Sequence, residues 1–334
     1  MNKGFGKVSQ DAVGIETCNL EKSFDDIRAV DGITFSVDRG ELFGFLGPNG
    51  AGKTTTINIL TGLARPDSGT VCIAGINCTH NAKAAQHLIG VVPDESNLYP
   101  ELTGYENLCF CAALYGMRKR ERQERARQIL GVFGLDQAAN RLFGGYSKGM
   151  KRKLTIAAGI IHSPEILFLD EPTSGIDVAS ARQIRRIIAD LNHAGTTVFL
   201  TTHYIEEAER LCNRIAFVVR GRIVANDSVE NLLQPVMERH IVRISISSVP
   251  QDLHQSLCSA FPELEFTLEE RFQIRVESDR EIRVGSLVRF LEEQGAEVSE
   301  ARRLRPSLED VFVRVTGIEG DAMRKEKEKK GGSG

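Results

Sequence analysis

Short, almost entirely apolar runs recur along the first two thirds of the chain, separated by longer segments with helical spacing. Runs of four to six residues that are apolar nearly throughout are typical of strands buried on both faces, as in a parallel sheet. The pattern therefore predicts a doubly wound α/β fold. Its predicted buried strands lie at 42–46, 89–92, 166–169, 197–200 and 214–219.

Two half-buried strands and a long helical segment are also predicted in this part of the chain. Apolar and polar residues alternate at 14–20 and at 33–37, which is a strand pattern. Between 102 and 132 the spacing becomes helical, with an i, i+3, i+4, i+7 series at Leu108, Cys111, Ala112 and Tyr115. The charged run 118–127 in this segment mixes both signs without interleaved aromatics. We therefore predict helical structure over 102–132 with a solvated charged face, not a nucleic-acid patch.

From about Arg239 the pattern changes. The predicted elements are strand 241–247, helix 252–261, a hairpin of 265–267 with 272–276, an amphipathic helix around 284–291, strand 297–303 and helix 307–316. Their order, β-α-β-β-α-β before the last helix, predicts a small ferredoxin-like α+β domain over 238–316. Residues 317–334 are rich in Lys and Glu, and we predict a disordered charged tail there.

Composition and charge limit the partners and the cellular setting that can be expected for this chain. Apolar residues make up 41% and charged residues 26%, and the net charge of −3 provides no basic field for nucleic acid, so no nucleic-acid partner is expected. Seven cysteines without a C-x-x-C pair fit a reducing, cytoplasmic setting. Residues 1–13 are polar, and we expect a flexible N-terminus without a signal peptide. No apolar run approaches the ~18 residues that span a bilayer, so any spanning helices are expected from another chain.

The clearest chemical motif follows the apolar run 42–46 and precedes a helical segment. It consists of Gly47, Pro48, Asn49, Gly50, Ala51, Gly52, Lys53 and Thr54. This is the G-x-x-x-x-G-K-[ST] phosphate-binding loop, in which glycines let backbone N–H groups surround an anion at a helix N-terminus. Lys53 can reach the β- and γ-phosphates, and Thr54 can ligate Mg²⁺. The motif predicts a nucleoside triphosphate site; a glycine-rich turn that binds nothing is the less favoured interpretation.

Further polar groups follow other predicted elements. A second glycine-rich turn ends in Ser147-Lys148-Gly149-Met150 and leads into a helix. The strand 166–169 ends in Asp170-Glu171, at the sheet edge where doubly wound folds bind ligands. Two carboxylates are costly to bury there unless a metal or hydrogen bonds compensate. Residues 174–177 cap the next helix, and the strand 197–200 ends at Thr201-Thr202-His203.

The order and spacing of these motifs resemble the nucleotide-binding subunit of an ATP-binding cassette (ABC) transporter. The resemblance covers about 14–235, with a helical subdomain at about 98–162. Within that family the chain is similar to the daunorubicin-resistance-type exporter ATPases, which share the GPNGAGKTTT loop, a Met-containing signature and a C-terminal extension with the segment 307–312 (SLEDVF). The implied fold class is a P-loop NTPase (ABC ATPase) domain with a helical subdomain, plus the small ferredoxin-like domain.

The resemblance implies a mechanism and partners. The subunit is expected to hydrolyse ATP, to form a head-to-tail homodimer around two Mg-ATP and to drive a separate polytopic membrane permease. It is expected to be cytoplasmic and peripheral at the inner face of the membrane. The residues expected to contact ATP are Phe24, Val30, Gly47, Pro48, Asn49, Gly50, Ala51, Gly52, Lys53, Thr54, Thr55, Ser147, Lys148, Gly149, Met150 and Asp177.

Particular roles also follow from the resemblance. Glu171 would act as general base on the attacking water or polarise it, and His203 would contact the γ-phosphate and position that water. Lys53, the third residue expected to be catalytic, would reach the β- and γ-phosphates. Thr54 and Asp170 would hold Mg²⁺. Ser147 and the backbone around Gly149 would contact ATP bound to the other subunit, and Asp177 would cross that interface. Phe24 is either an adenine platform or a half-buried aromatic at a strand end.

The chain departs from the family pattern at two positions. Asp94 stands where a glutamine is usual, and it is either a Mg²⁺ ligand or a turn residue. Lys148 replaces the first glycine of the signature core, where a side chain is expected to cost backbone freedom and an ammonium to add charge near the phosphate. Met150 replaces the usual glutamine, as is common in this subgroup.

Other function classes fit the residues less well. A soluble ABC ATPase acting on ribosomes or DNA is the alternative, but such proteins usually have two cassettes or a coiled-coil insertion. A GTPase or kinase would leave His203 and the signature unexplained, and the guanine-reading N-K-x-D motif is absent. For 238–316 we expect dimer contact or regulation, because this stretch shows no clustered His, Cys or carboxylates.

Overall fold

The computed structural model describes residues 13–250, 252–269 and 272–318. The predictions for 1–12 and for 319–334 lie outside these ranges. The described residues divide into two compact units, one of 13–229 with 315–318 and one of 230–314. The predicted domain limits, 14–235, 98–162 and 238–316, stay predictions. Within the described ranges, none of the helices combines the length and apolar character that crossing a bilayer requires.

The first unit is built on a mixed α/β plan. Its strands are β1 (Val13–Phe24), β2 (Ile27–Asp38), β3 (Leu42–Leu46), β4 (Ser68–Ile73), β5 (Ile76–Asn77), β6 (Ile89–Val92), β7 (Ile166–Asp170), β8 (Thr197–Thr202), β9 (Arg214–Val219) and β10 (Arg222–Ser228). Its helices are α1 (Lys53–Leu60), α2 (Gly104–Leu114), α3 (Lys119–Val132), α4 (Lys148–Gly159), α5 (Val178–His193) and α6 (Ile205–Leu211). Short 3₁₀ turns lie at Ala82–Ala84, Gln86–Leu88, Asp136–Ala138 and Phe143–Gly145.

Six strands form the central sheet in the order β10-β9-β3-β8-β7-β6. The pairs from β9 to β6 are parallel, and β10 adds an antiparallel edge. The strands β3, β7 and β8 are buried at every residue, as their continuous apolar runs predict. Because β3, β7 and β8 are parallel neighbours, the segments that follow them meet at one edge of the sheet.

A second sheet, antiparallel and ordered β2-β1-β4-β5, packs on the first through aromatic side chains. Phe35 of β2 stacks on Phe43 of β3 with ring centroids 5.5 Å apart, and on Phe199 of β8 at 5.8 Å. All three side chains belong to the core of this unit. Large buried aromatics contribute strongly to packing energy, so this contact fixes the layer that lies behind the phosphate-binding loop.

The helical structure predicted over 102–132 is confirmed, and it is divided into two helices. The helix α2 starts at a capping box in which Thr103 and Glu106 bond each other's backbone N–H. It ends before Gly116, whose φ of 77° is left-handed and cannot continue a right-handed helix. The charged part forms α3, which buries Ala126, Ile129 and Leu130 and exposes most of its charges, as predicted.

The second unit contains a four-stranded antiparallel sheet. Its elements are β11 (His240–Ile246), α8 (Leu253–Ala260), β12 (Glu265–Glu269), β13 (Gln273–Ser278), α9 (Val284–Glu293) and β14 (Val298–Leu304). The helix α7 (Val229–Met237) precedes them, and α10 (Leu308–Thr316) follows. The strand order is β12-β13-β11-β14, so β13 lies between the two strands that α8 connects, which is a split βαβ arrangement. Leu287 and Leu291 of α9 are buried in the core of this unit.

A group of ion pairs lies in this unit beside its apolar core. Glu277 accepts hydrogen bonds from Arg275 at 2.5 Å and from Arg239 at 2.9 Å, while Arg275 also bonds Asp310 at 2.5 Å. Burial acts to raise the pKa of Glu277, but the hydrogen bond and charge of Arg275, with those of Arg239, lower it below its ordinary 4.5. The carboxylate is therefore more stable in the folded chain than in the unfolded one.

This shift predicts how the stability of Glu277→Gln depends on pH. A lowered carboxyl pKa stabilises the fold above the ordinary value, and this contribution is lost as the pH falls through the lowered one. At pH 7 we expect Glu277→Gln to reduce the free energy of unfolding by about 1–2 kcal/mol. The difference from wild type should shrink as the pH approaches ~4. Urea unfolding of the full chain at several pH values measures it, and a difference that grows on acidification would contradict the prediction.

Candidate functional site

The phosphate-binding loop connects the buried strand β3 to α1. Gly52 caps α1 with φ 98°, a left-handed conformation that side-chain-bearing residues rarely adopt. A Cβ at this position would also overlap the carbonyl oxygen of Ala29 in β2. Lys53 is buried, and its Nζ donates to the carbonyl oxygens of Gly47 at 2.7 Å and Pro48 at 3.2 Å. The loop is thus closed around its own lysine at the N-terminus of a helix.

Lys53, Glu171 and His203 are brought together from three parts of the sequence. Glu171 Oε1 lies 3.2 Å from Lys53 Nζ, and Glu171 Oε2 lies 2.7 Å from His203 Nδ1. A carboxylate only accepts hydrogen bonds, so Nδ1 carries the proton in this contact. The side chains are nearly inaccessible, with Glu171 at 8% exposure and His203 at 4%. Oε1 accepts no hydrogen bond within the described part of the chain, which leaves an acceptor aimed at the lysine.

The charge state of Glu171 follows from these contacts. Burial acts to raise its pKa, but the hydrogen bond from His203 and the positive charge of Lys53 together lower it below its ordinary value. The carboxylate therefore stays ionised at neutral pH. Its backbone has φ 48°, a left-handed conformation that is uncommon for a residue with a side chain. Its N–H donates to the Thr201 carbonyl at 3.1 Å.

Thr54 and Asp170 form an oxygen-rich pair beside this group. Thr54 Oγ1 donates to Asp170 Oδ2 at 2.8 Å, and Thr201 Oγ1 donates to Asp170 Oδ1. Hydroxyl and carboxylate oxygens are the ligands that Mg²⁺ prefers, so the pair fits the expected ion. Among the described residues no group of three or more His, Cys, Asp or Glu side chains is placed to hold a metal. Binding of Mg²⁺ by this pair stays a prediction.

Asp94 follows β6 at the same edge of the sheet. Its side chain is exposed, and its carbonyl oxygen accepts a hydrogen bond from Arg152 at 3.1 Å. Its role as a Mg²⁺ ligand stays a prediction.

The signature residues form a second group. Ser147 caps α4 and accepts from the Met150 N–H at 3.3 Å. Gly149 packs so closely against α5 that an added Cβ would overlap Ser180 Oγ. Lys148 is the first residue of α4 and does not have a positive φ, so its side chain causes no left-handed strain there. The predicted effects of Lys148 stay predictions.

The structure shows the contacts and exposure of three other residues predicted to contact ATP. Asp177 caps α5 by accepting from the Ser180 N–H at 2.9 Å, and hydrogen bonds from Ser180 lower its pKa. Phe24 is 51% exposed at the end of β1, with Lys22 Nζ 5.3 Å from its ring. Val30 is fully buried in the core of the unit. The roles of these three residues toward ATP stay predictions.

Two buried charged residues were missed by the sequence analysis. Arg152 of α4 donates to four backbone carbonyl oxygens, and Glu207 of α6 accepts from Thr173 Oγ1 at 2.7 Å and Thr202 Oγ1 at 3.1 Å. Burial raises the pKa of Glu207. No local signal distinguishes them, since Arg152 lies in a Lys-Arg-Lys triplet and Glu207 in a Glu-rich turn. Thr201 was identifiable as a polar residue ending an apolar strand, but no role was assigned to it.

The fold and this site define an ABC ATPase. The ABC transporter family model matches residues 30–174, and relatives that align over nearly their whole length confirm the match. The chain belongs to the ABC transporter family and has the P-loop fold of its ATP-hydrolysing subunits.

Particular relatives confirm the predicted resemblance to the daunorubicin-resistance-type ATPases. The linearmycin resistance ATP-binding protein LnrL of Bacillus subtilis is 35% identical over 302 residues, covering 90% of this chain and 97% of that protein. The daunorubicin resistance ATP-binding protein DrrA2 of Streptomyces coeruleorubidus is 36% identical over 311 residues, covering 92% and 96%. The Nod factor export ATP-binding protein I of Burkholderia orbicola is 35% identical over 309 residues, covering 91% and 97%.

Solved structures agree with this assignment. An ATP-binding subunit of an ABC transporter matches with a TM-score of 0.61 and 29% identity, covering 67% of this chain and 93% of that one. The dimeric cassette MJ0796 in a post-hydrolysis state bound to ADP and Pi matches with a TM-score of 0.60 and 27% identity, covering 64% and 98%.

Glu207 provides a stability test of the loops beside Lys53, Glu171 and His203. In Glu207→Ala, two threonine hydroxyls lose their buried acceptor, and we expect the free energy of unfolding to fall by about 2–3 kcal/mol. The neighbouring Glu206→Ala is the matched control, because Glu206 is exposed and should change stability by less than about 0.5 kcal/mol. Urea unfolding of both variants at pH 7 compares them. Equal losses would show that the two hydrogen bonds of Glu207 contribute no net stability.

Proposed function

We propose that this chain is the ATP-hydrolysing subunit of an ABC exporter. It dimerises head to tail around two Mg-ATP at the inner face of the membrane and drives substrate through a separate membrane permease. The observation that carries the proposal is the buried group of Lys53, Glu171 and His203, assembled directly beside a phosphate-binding loop. Its geometry suits attack of water on a γ-phosphoryl group, where positioning and charge neutralisation supply most of the catalysis.

Phosphate binding follows from the loop. Backbone N–H groups at the N-terminus of α1 attract anions, because the helix dipole is positive there. Lys53 Nζ lies against the carbonyls of Gly47 and Pro48, at the mouth of the loop. When phosphate enters, the ammonium can exchange these carbonyls for phosphate oxygens. Thr54 and Asp170 would hold Mg²⁺, which supplies further neutralisation of phosphate charge.

Hydrolysis requires a base that accepts a proton from water and a second group that orients this base. The ionised Glu171 takes a proton from the attacking water at Oε1, which becomes available when Lys53 turns from it to phosphate. His203 donates from Nδ1 to Glu171 Oε2 and so orients the carboxylate. Because phosphate oxygens only accept, contact of Nε2 with the γ-phosphate requires a second proton on the ring, so that both ring nitrogens donate. The short contact between Glu171 and Lys53 keeps the carboxylate ionised until the lysine turns to phosphate.

The head-to-tail dimer is supported by the signature group. Ser147 is exposed at the N-terminus of the 12-residue helix α4, a second anion-attracting end in the same unit. It is not needed to complete the contacts among Lys53, Glu171 and His203. A copy of the chain facing it in the opposite sense would place this end against the partner's ATP. A solved relative of the cassette is dimeric, which is consistent with such an assembly.

Export as the direction of transport is supported by the relatives. Those with the coverage given above carry names that refer to resistance to linearmycin or daunorubicin, or to Nod factor export. Each is named as an ATP-binding protein, which fits a subunit that works with a separate permease. We therefore assign the chain to the same kind of transporter.

Glu171→Gln tests the catalytic assignment. The variant keeps the shape of the side chain but cannot accept a proton, so we expect ATP hydrolysis to fall by at least about 100-fold. Because ATP still binds, the variant should form an ATP-dependent dimer. Phosphate release measures the first effect and light scattering the second. Glu165→Gln is a matched control, since Glu165 precedes the opposite end of β7 and pairs with Arg39 in solvent.

Two results would contradict the proposal. Hydrolysis by Glu171→Gln at the wild-type rate would exclude Glu171 as the base. A variant that stays monomeric at saturating Mg-ATP would exclude the head-to-tail dimer.

Asp94 tests the metal assignment separately. If its carboxylate ligates Mg²⁺, Asp94→Ala should raise the Mg²⁺ concentration for half-maximal hydrolysis by about 10-fold. The concentration for Asp94→Gln should lie between those of wild type and Asp94→Ala. Glu95→Gln is the control, because Glu95 is the adjacent exposed carboxylate. Steady-state rates over a Mg²⁺ titration give the comparison. The same Mg²⁺ dependence in all variants would identify Asp94 as a turn residue.

A further inference from the structure

Arg152 is a buried cation that donates its hydrogen bonds to backbone carbonyls. Its Nε donates to Pro172 O at 2.9 Å, and Nη2 donates to Asp170 O at 2.5 Å. Its Nη1 donates to Pro93 O and, at 3.1 Å, to Asp94 O. The residue is 7% exposed. A guanidinium presents its donors in one rigid plane, so four carbonyls bound to it are held in a fixed relation to each other.

Two of these carbonyls flank the catalytic base. Asp170 and Pro172 are the residues immediately before and after Glu171, and one guanidinium holds both. Glu171 itself has the left-handed φ of 48°. Such a conformation is retained only where the surroundings hold it in place. Arg152 supplies that restraint on both sides of the residue.

The same side chain connects the two halves of the proposed mechanism. Arg152 lies on α4, the helix whose N-terminus begins at Ser147. Its Nη1 reaches the carbonyls of 93 and 94, in the segment after β6. A small movement of α4 is therefore passed to the backbone around Glu171 and to Asp94 through one rigid group.

Charge explains why a cation is tolerated at this buried position. The carboxylates of Asp94, Asp170 and Glu171 all attract the guanidinium, which offsets part of the cost of its burial. A neutral residue would lose this attraction, and a lysine has a single nitrogen that cannot reach carbonyls on opposite sides. The site is thus matched to arginine in both charge and shape.

We propose that Arg152 is a positioning residue that holds the backbone of Glu171 in its catalytic conformation and couples it to the signature end of α4. This inference rests on the proposed function, since the signature end is taken to contact ATP in the partner. ATP bound at that end of α4 in one subunit would then align the base of the same subunit for its own ATP.

Steady-state kinetics of Arg152→Gln and Arg152→Lys test the positioning role. We expect kcat to fall by about 100-fold in Arg152→Gln and by about 10-fold in Arg152→Lys, with KM for ATP within about 3-fold of wild type. Lys153→Gln, the adjacent position on α4, is the matched control and should retain the wild-type rate. Wild-type kcat in both arginine variants would overturn the proposal. So would parallel changes in kcat and KM in Arg152→Lys, the more conservative and better tolerated variant.

A double-mutant cycle with Ser147→Ala tests the coupling. If α4 transmits the signature contact through Arg152, the loss in kcat from Ser147→Ala should largely disappear once Arg152→Gln is present. Losses that multiply independently would overturn the coupling.

A dimerisation assay separates this inference from the proposed function. The double variant Arg152→Gln with Glu171→Gln should still form the ATP-dependent dimer, because Arg152 is proposed to act after binding. Failure of Glu171→Gln alone to dimerise would count against the proposed function. Failure of the double variant only would overturn the inference, since Arg152 would then be needed for binding itself.

Discussion

The carboxylate of Glu171, held between Lys53 and His203, is the interaction on which the site depends. An ionised carboxylate at 8% exposure is stable only because a cation lies 3.2 Å from one oxygen and an N–H donor 2.7 Å from the other. Each partner comes from a different segment, so the contact exists only when α1, β7 and β8 are packed together. The aromatic contacts of Phe35 with Phe43 and Phe199 pack β2 against β3 and β8.

Backbone geometry is the second constraint on this edge of the sheet. Glu171 has a left-handed φ, its N–H is bound by Thr201, and its neighbours' carbonyls are bound by Arg152. Buried charged side chains therefore surround the backbone of Glu171 as well as its carboxylate. Nearby carboxylates offset part of the cost of burying Arg152. The buried Arg152 in turn bonds the backbone on both sides of Glu171, where φ is left-handed.

Much of the fold was predictable because its signals are local. Continuous apolar runs located β3, β6, β7, β8 and β9, and alternation with amphipathic spacing located the elements of the second unit. The break between α2 and α3 was missed because hydrophobic spacing continues across it, whereas a single left-handed glycine, Gly116, ends the helix. The helix α6 was missed because it is short and mostly polar, and its position is decided by packing.

The sequence by itself determined the phosphate-binding loop, the acidic strand end and His203, since each is a motif with fixed spacing or a fixed place after an apolar strand. Only the tertiary structure decided which side chains meet: that Lys53 contacts Glu171, that Thr201 bonds Asp170, and that Arg152 and Glu207 are buried. The physical reason is that burial and pairing of charges depend on contacts between segments distant in the chain. The local sequence around an arginine or glutamate does not indicate whether that residue makes such a contact.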